Sequence, residues 1–376
     1  MDGGRIEQVH IEDSGLTVDL PDRGPTYFNA WWLRDNCPTS FDRVTRERTF
    51  DVFHYDSTPR PAEAHLDAEA LTIRWEGEDH TSRFPLAMLA AYADGLRRSD
   101  PADLPRRPWY SDHYADLVRV SHPVLLESAE ERRRWMEALL VDGVAIVTDM
   151  PDSDEGLTRT AELIGTIRPS FFGTYFDVRT HINPTNLAYT ASALEMHTDV
   201  PAEELAPGVQ FLHCRRNSVV GGRNLFLDGT AVANDLRRED PEAFRLLAET
   251  EIPFYKEHDH IDMRARQRVI ELDHNGEVAG LTISQHLADI FDLPQRFMDS
   301  YYPALVKFGK MLQSDKYVMR FTLAAGECIT FDNHRVVHGR AAYTAESGER
   351  YLRGTYTDRG ELRGIYRALV SEGRFK

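Results

Sequence analysis

Cysteine is scarce in this chain of 376 residues: Cys37, Cys214 and Cys328 are far apart and odd in number. They form no C-x-x-C pair, so neither a disulfide framework nor an all-cysteine zinc site is available. A reducing, cytoplasmic setting is expected. Long hydrophobic runs are absent as well. None approaches the roughly 18 residues that would suggest a membrane span, so no membrane partner is expected. The first residues, Met1-Asp2-Gly3-Gly4-Arg5-Ile6-Glu7, carry no apolar segment, and no secretory signal is expected. Positive charge is short. Lys and Arg number 44 against 61 Asp and Glu, for a net charge of −17. Such a surface repels a phosphate backbone, which argues against a nucleic-acid partner. The first hundred residues contain no lysine, and their 19 acids outnumber 11 bases. No internal repeat or low-complexity tract is found.

What is present is an ordinary globular balance, 41% hydrophobic and 28% charged, in a chain long enough to bury a large core. Residues 1–100 read as a small β-rich domain, with short apolar segments at 16–20, 50–53 and 71–75 between polar turns. Residues 99–108 carry Pro101, Pro105 and Pro108, which deny the backbone helix and ladder bonds, and read as a linker. Residues 101–376 form a larger, mixed domain. Ser128-Ala129-Glu130-Glu131 is a capping box before a helix with Trp135, Met136, Leu139 and Leu140 on one face. Gly143 ends it, and 144–147 reads as a buried strand. Asp240-Pro241 opens a helix through Leu247, and another helix runs from about 294 to 312. Strands are expected at 208–213, 225–227, 317–323 and 328–331. Helices come early and strands late, without regular βαβ alternation. The expected class is therefore mixed α/β, mainly β, with a helix-supported antiparallel core.

Non-haem iron chemistry uses two histidines and one carboxylate on one face of the metal. On a strand, His-x-Asp places both side chains on the same side, so both reach one ion. Three copies occur: His54-Tyr55-Asp56, His197-Thr198-Asp199 and His260-Ile261-Asp262. The first lies in the N-terminal domain. The third sits in the charged run 256–266, which reads as a solvated surface. The second precedes a proline-bearing loop and the strand Gly208-Val209-Gln210-Phe211-Leu212-His213. Far downstream, Phe331-Asp332-Asn333 leads to His338-Gly339-Arg340, where a histidine before glycine offers a third ligand. Arg350 follows, and a guanidinium there can grip a dicarboxylate through paired hydrogen bonds.

With these residues in view, the sequence resembles the 2-oxoglutarate-dependent oxygenases of the γ-butyrobetaine and trimethyllysine hydroxylase group, within the taurine dioxygenase superfamily. The resemblance spans nearly the whole chain. Its markers are Trp32-Leu33-Arg34-Asp35-Asn36-Cys37-Pro38, Asn186-Leu187-Ala188-Tyr189-Thr190, His197-Thr198-Asp199, Pro207-Gly208-Val209-Gln210, Gly221-Gly222, Phe331-Asp332-Asn333 and His338-Gly339-Arg340. It implies a double-stranded β-helix (jelly-roll) catalytic core with flanking helices. It implies His197, Asp199 and His338 as Fe(II) ligands and Arg350 as the anchor for 2-oxoglutarate, with O2 as the second co-substrate. It also implies a homodimer.

Phe171-Phe172-Gly173-Thr174-Tyr175-Phe176 holds four aromatics in six positions, against a chain average of 10%. The resemblance places Phe172, Phe176, Tyr189 and Tyr356 around a trimethylammonium group, with Tyr175 beside them. The physics is cation–π attraction within a dry wall, since a quaternary ammonium has no hydrogen-bond donor. At the anion end it implies Asn186, while Ser284-Gln285-His286 departs from the family pattern by a one-residue gap that leaves open which of the three faces the substrate, Gln285 being one candidate. A retained cation end and a changed anion end point to 2-(trimethylamino)ethylphosphonate, hydroxylated next to phosphorus, as in a bacterial branch of the group. Arg179, His181 and Gln285 are the candidate phosphonate donors. The alternatives are γ-butyrobetaine, giving L-carnitine, and a non-catalytic quaternary-ammonium-binding protein. Sulfonate oxygenation of the taurine type is disfavoured by the aromatic box. Many relatives carry a zinc site in the N-terminal domain. Here Cys37 and His80 match it, but Thr39 and Asp42 stand at the other positions, so no structural zinc is expected.

Overall fold

The computed structural model of the chain describes residues 9–95, 99–179, 190–258 and 261–371. Its backbone divides into two compact units, 1–99 and 100–376.

In the first unit, β1 (Val9–Glu12), β2 (Gly15–Leu20) and β3 (Gly24–Asn29) form one antiparallel sheet. After the short helix α1 (Ala30–Asp35), β4 (Pro61–Leu66), β5 (Ala70–Trp75) and β6 (Thr81–Pro85) form a second, followed by α2 (Leu86–Tyr92). Alternation decides the buried face: Leu16, Val18 and Leu20 point inward to meet Leu33, Ile73, Trp75 and Phe84. The Trp75 indole donates to Ser82 Oγ at 2.9 Å, so its one polar atom is satisfied inside that core. The apolar segment 50–53 of the β-rich reading forms no strand; Val52–His54 is a single 3-10 turn. The Asp51 carboxylate accepts from the Phe53 N–H at 2.9 Å, a local turn that competes with ladder pairing.

The second unit begins with the proline-rich stretch, which packs onto it. Arg106 donates to the Val278 carbonyl at 2.6 Å, and Arg107 grips Asp142 through two bonds of 2.7 and 2.5 Å. Backbone that proline removes from ladders is anchored here by side chains. Then come β7 (Arg119–Ser121), α3 (His122–Glu127), α4 (Ala129–Val141), β8 (Val144–Thr148), α5 (Asp154–Glu162), β9 (Phe176–Val178), β10 (Leu194–His197), β11 (Val209–Asn217), β12 (Val220–Gly221) and β13 (Asn224–Asp228). Next are α6 (Gly229–Glu239), α7 (Pro241–Glu249), β14 (Glu251–His258), β15 (Ile261–Arg268), β16 (Ile270–Leu272), β17 (Val278–Leu281) and α8 (Gln295–Leu312). The series closes with β18 (Met319–Phe321), β19 (Cys328–Asp332), β20 (Val336–Arg340), β21 (Tyr343–Thr344), β22 (Arg350–Thr357) and α9 (Arg359–Val370).

Two sheets build the core. One has six strands in the order β7-β8-β19-β11-β22-β9, the other four in the order β10-β20-β13-β18. Every pairing within them is antiparallel except β7 with β8. The result is the expected jelly roll. On β11, Val209 and Phe211 face the helix side with Trp135 of α4 and Leu157 of α5. Leu212 and Cys214 face the other way, toward Phe226 and Met319 of the four-stranded sheet. The expected caps are in place: Ser128 accepts from the Glu131 N–H at 3.2 Å and Asp240 from the Ala243 N–H at 3.0 Å. The run 256–266, expected as a solvated surface, falls in the β14–β15 hairpin. Its strands bury Ile252, Phe254 and Ala265 while turning charged neighbours outward, a period-2 pattern that the density of charge concealed.

Among the described residues, one ion pair lies wholly inside. Arg335 reaches Asp228 through Nε at 3.0 Å and Nη2 at 2.9 Å, and both side chains are essentially inaccessible. Arg335 Nη1 also donates to the Val141 carbonyl and Nη2 to the Arg107 carbonyl. No helix among the described residues is long and apolar enough to cross a membrane.

Candidate active site

His197 ends β10, and His338 stands opposite it on β20. Asp199 follows two residues after His197, and its position is fixed by backbone contacts. The Asp199 N–H donates to Asn333 Oδ1 at 2.7 Å, while the Asn333 amide donates back to the Asp199 and Pro207 carbonyls. Val200 then adopts a φ of +57°, rare for a β-branched residue, and turns the chain away. Asp199 Oδ1 lies 3.2 Å from His197 Nε2 and 3.7 Å from His338 Nε2. Among the described residues these three form the one cluster with metal-ligand character, each ligand atom within 4.8 Å of the others.

The chemistry of this donor set suits a divalent cation. His197 Nδ1 donates to the Glu195 carbonyl at 2.7 Å, which orients the ring with Nε2 toward Asp199. Burial, with His197 adding to it, pushes His338 down to about 3, so its imidazole is neutral at physiological pH. Burial opposes ionisation of Asp199, but the two histidines and the Tyr356 hydroxyl outweigh it and hold the carboxyl well below its usual range. Two imidazoles and one carboxylate fit Fe(II) and leave room for co-substrates.

The pocket beside this cluster is lined by Phe171, Phe172, Phe176 and Tyr356 on one side and by Arg350, Asn224 and Gln210 on another. Phe172 and Phe176 are 5.8 Å apart between ring centroids, and Phe176 stacks on Tyr356 at 5.0 Å. Arg350 begins β22, buried at 5% exposure, and its Nη2 donates to Asn224 Oδ1 at 3.1 Å. Its Nε and Nη1 are buried with no hydrogen-bond partner among the described residues. Burial, then the nearby Arg340, pulls the guanidinium down to about 10, still charged near neutrality. A buried cation with two orphaned donors is prepared for an anion, and the distal carboxylate of 2-oxoglutarate fits it.

Of the residues expected at the site, His197, Asp199, His338, Arg350, Phe172, Phe176 and Tyr356 line this one pocket. Tyr175 and Gln285 do not. Tyr175 packs against the helix-side core, its hydroxyl 2.6 Å from Thr158 Oγ1 and its ring under Arg353. It precedes β9, so it faces away from Phe176. Gln285 is exposed, and its neighbours His286 and Leu287 reach the pocket instead. Arg179 lies outside the lining, over the Tyr351 ring and 3.8 Å from Asp177. Asn186, Tyr189 and His181 fall outside the described residues.

Sequence reasoning missed Asn224, and within Ser284-Gln285-His286 it favoured Gln285 over His286. Asn224 has a signal: it lies close after Gly221-Gly222 on a strand paired with the His338 strand. His286 has none, because long-range contacts place it. Thr198 and Ile283 exchange hydrogen bonds, which brings the His286 ring to 5.0 Å from that of His197.

In the first unit, Cys37 Sγ lies 3.0 Å from Thr39 Oγ1 and 3.5 Å from His80 Nε2. Asp42 instead accepts from the Val44 and Thr45 N–H groups of its own turn. Thiol and imidazole are two good zinc donors where a structural site wants four, so this set does not fit zinc.

A jelly roll that gathers two histidines, an aspartate and an orphaned arginine at one mouth defines the class of Fe(II)- and 2-oxoglutarate-dependent dioxygenases. The chain belongs to the Taurine catabolism dioxygenase TauD, TfdA family, which matches residues 107–356. It is similar to the γ-butyrobetaine dioxygenase of Pseudomonas sp. (strain AK-1), 34% identical over 363 residues, covering 95% of this chain and 94% of that protein. It is also similar to the mitochondrial trimethyllysine dioxygenase of Mus musculus, 27% identical, covering 91% and 82%. Among solved structures, an asparagine oxygenase with Fe(II), a hydroxyasparagine and succinate shares the fold. Its TM-score is 0.50 at 15% identity, covering 64% of this chain and 93% of that one.

Proposed function

We propose that this enzyme hydroxylates a small trimethylammonium zwitterion, with γ-butyrobetaine as the first substrate and carnitine as the product. The observation that carries this reading is the wall of Phe171, Phe172, Phe176 and Tyr356 directly beside the His197–Asp199–His338 cluster. The full-length similarity to γ-butyrobetaine dioxygenases supports it.

His197, Asp199 and His338 would hold Fe(II), and Arg350, steadied by Asn224, would hold the distal carboxylate of 2-oxoglutarate. Together the bound pair supplies the oxidising power, as 2-oxoglutarate and O2 give succinate, carbon dioxide and one hydroxyl on the substrate. The aromatic wall binds the trimethylammonium group by cation–π attraction and excludes water, which no quaternary nitrogen replaces with a hydrogen bond. Orientation then decides which C–H faces the metal.

The phosphonate alternative asks for additional donors. Arg179 is engaged with Tyr351 and Asp177, and Gln285 is turned outward, so a carboxylate zwitterion takes precedence. The test is succinate release from the Fe(II)-loaded enzyme against γ-butyrobetaine, trimethyllysine, 2-(trimethylamino)ethylphosphonate and taurine. Turnover should be greatest with γ-butyrobetaine, with carnitine identified as product. Turnover with the phosphonate alone moves the assignment to that substrate. Turnover with taurine alone overturns the trimethylammonium reading, and none with any substrate leaves a binding protein. Asp199→Ala should abolish substrate-dependent succinate formation.

A further inference from the structure

We propose that Tyr356 joins the cation-binding wall to the metal site, so that cation binding and iron binding strengthen each other. This rests on the metal and cation sites proposed above.

Tyr356 sits near the end of β22 with 1% exposure. Its ring face packs on Phe176 and lines the pocket. Its hydroxyl donates to Asp199 Oδ2 at 2.7 Å. The other carboxylate oxygen, Oδ1, is the one that faces both imidazoles. The two oxygens are therefore divided between two tasks: Oδ1 points to the metal position, and Oδ2 is tied to Tyr356. Asn333 fixes the Asp199 backbone, but rotation about Cβ–Cγ is not governed by backbone bonds. Without the hydroxyl, that rotation is freed, and Oδ1 is no longer held facing the two imidazoles. Partners of this kind typically contribute 10- to 100-fold to metal affinity.

The same side chain meets the cation with its ring. A positive charge against the ring face draws electron density from the phenol and makes its O–H a stronger donor to Asp199. By linkage, a cation that tightens iron is itself tightened by iron to the same factor. Tyr356 is thus a positioning residue whose ring and hydroxyl serve different ligands and are separable by substitution. Phenylalanine keeps the ring and removes the hydroxyl.

The experiment is an anaerobic Fe(II) titration of the full chain, with and without saturating tetramethylammonium chloride, using sodium chloride as the ionic-strength control. For Tyr356→Phe, the Fe(II) dissociation constant should rise about 10- to 100-fold, while the KM for the trimethylammonium substrate stays within about 3-fold, because the ring that makes the cation–π contact remains. For Phe176→Leu the pattern should reverse, with KM raised and Fe(II) affinity kept. In the wild type, tetramethylammonium should tighten Fe(II) by about 5-fold or more, and Tyr356→Phe should lose that gain. A purely structural role would move both constants together in both variants, and that outcome overturns the proposal. So does equal Fe(II) affinity of wild type and Tyr356→Phe, or a wild type indifferent to tetramethylammonium. Absence of Fe(II) binding by the wild type overturns the metal assignment itself, and this proposal with it.

Discussion

The ring of Phe176 lies across Gly354, so close that a Cβ at that glycine would stand 2.2 Å from the ring's Cζ. The two residues are cross-strand partners on β9 and β22, and the missing side chain at one is what seats the other. Gly354→Ala should therefore dislodge Phe176 from its stack on Tyr356. The KM for the trimethylammonium substrate should rise roughly 10-fold, the weight of a desolvated cation–π contact. Fe(II) affinity should hold. Steady-state kinetics with a parallel metal titration checks both. An unchanged KM would remove Phe176 from the cation wall.

Arg350 and Asn224 form the second test. Removing the buried guanidinium leaves the dicarboxylate without its partner, and Arg350→Ala should raise the KM for 2-oxoglutarate by roughly 30-fold or more. Arg350→Lys should recover little, since an ammonium has no planar fork for a carboxylate. Asn224→Ala should fall between these and the wild type, because it releases the Nη2 hydrogen bond that sets the guanidinium's angle. The measurement is succinate formation as 2-oxoglutarate is varied.

The enclosed Arg335–Asp228 pair governs stability. Asp228→Ala leaves an uncompensated buried guanidinium and removes the acceptor of the Trp109 N–H as well. Denaturant unfolding should show a loss of about 3–5 kcal/mol. A loss below about 1 kcal/mol, the level of an exposed ion pair, would show that water reaches this site.

Acid should destabilise the enzyme through its buried histidines. Burial, with Arg215 adding to it, pushes His213 down to about 4, and neither ring nitrogen has a partner among the described residues. His113 and His122 are lowered by burial too. An unfolded histidine takes its proton near pH 6.5. The unfolded chain therefore binds protons first as pH falls, and stability present above 6.5 is lost progressively toward 4. Unfolding midpoints from pH 7.5 to 4.5 should decline, and His213→Leu should flatten the slope. A pH-independent midpoint would show that these rings are already protonated.

Much of this site was legible because the residues that matter are spaced along the chain. His197, Asp199 and His338 stand in motifs, and strand periodicity located β11, β13, β18 and β19 around them, though it marked neither β10 nor β20, the strands that carry the two histidines. What was not legible depends on where a strand begins. Four aromatics in six residues mark a wall, but only the start of β9 at Phe176 sends Tyr175 to the opposite side. Gln285 and His286 differ by one position, and a turn stitched to Thr198 by long-range bonds decides which faces inward. The hairpin at 251–268 hid behind its own charge, because sparse inward residues signal a strand only when their partner strand is known.

His197 and Asp199 belong to β10 and the turn after it, while His338 arrives on β20 between β10 and β13. In a chain made from its N-terminus, the first two donors are synthesised well before the third. Until β20 slots between its neighbours, the nascent enzyme offers one imidazole and one carboxylate, a set that holds ferrous iron weakly. The full donor set therefore exists only once β20, the last-made strand of its sheet, is in place.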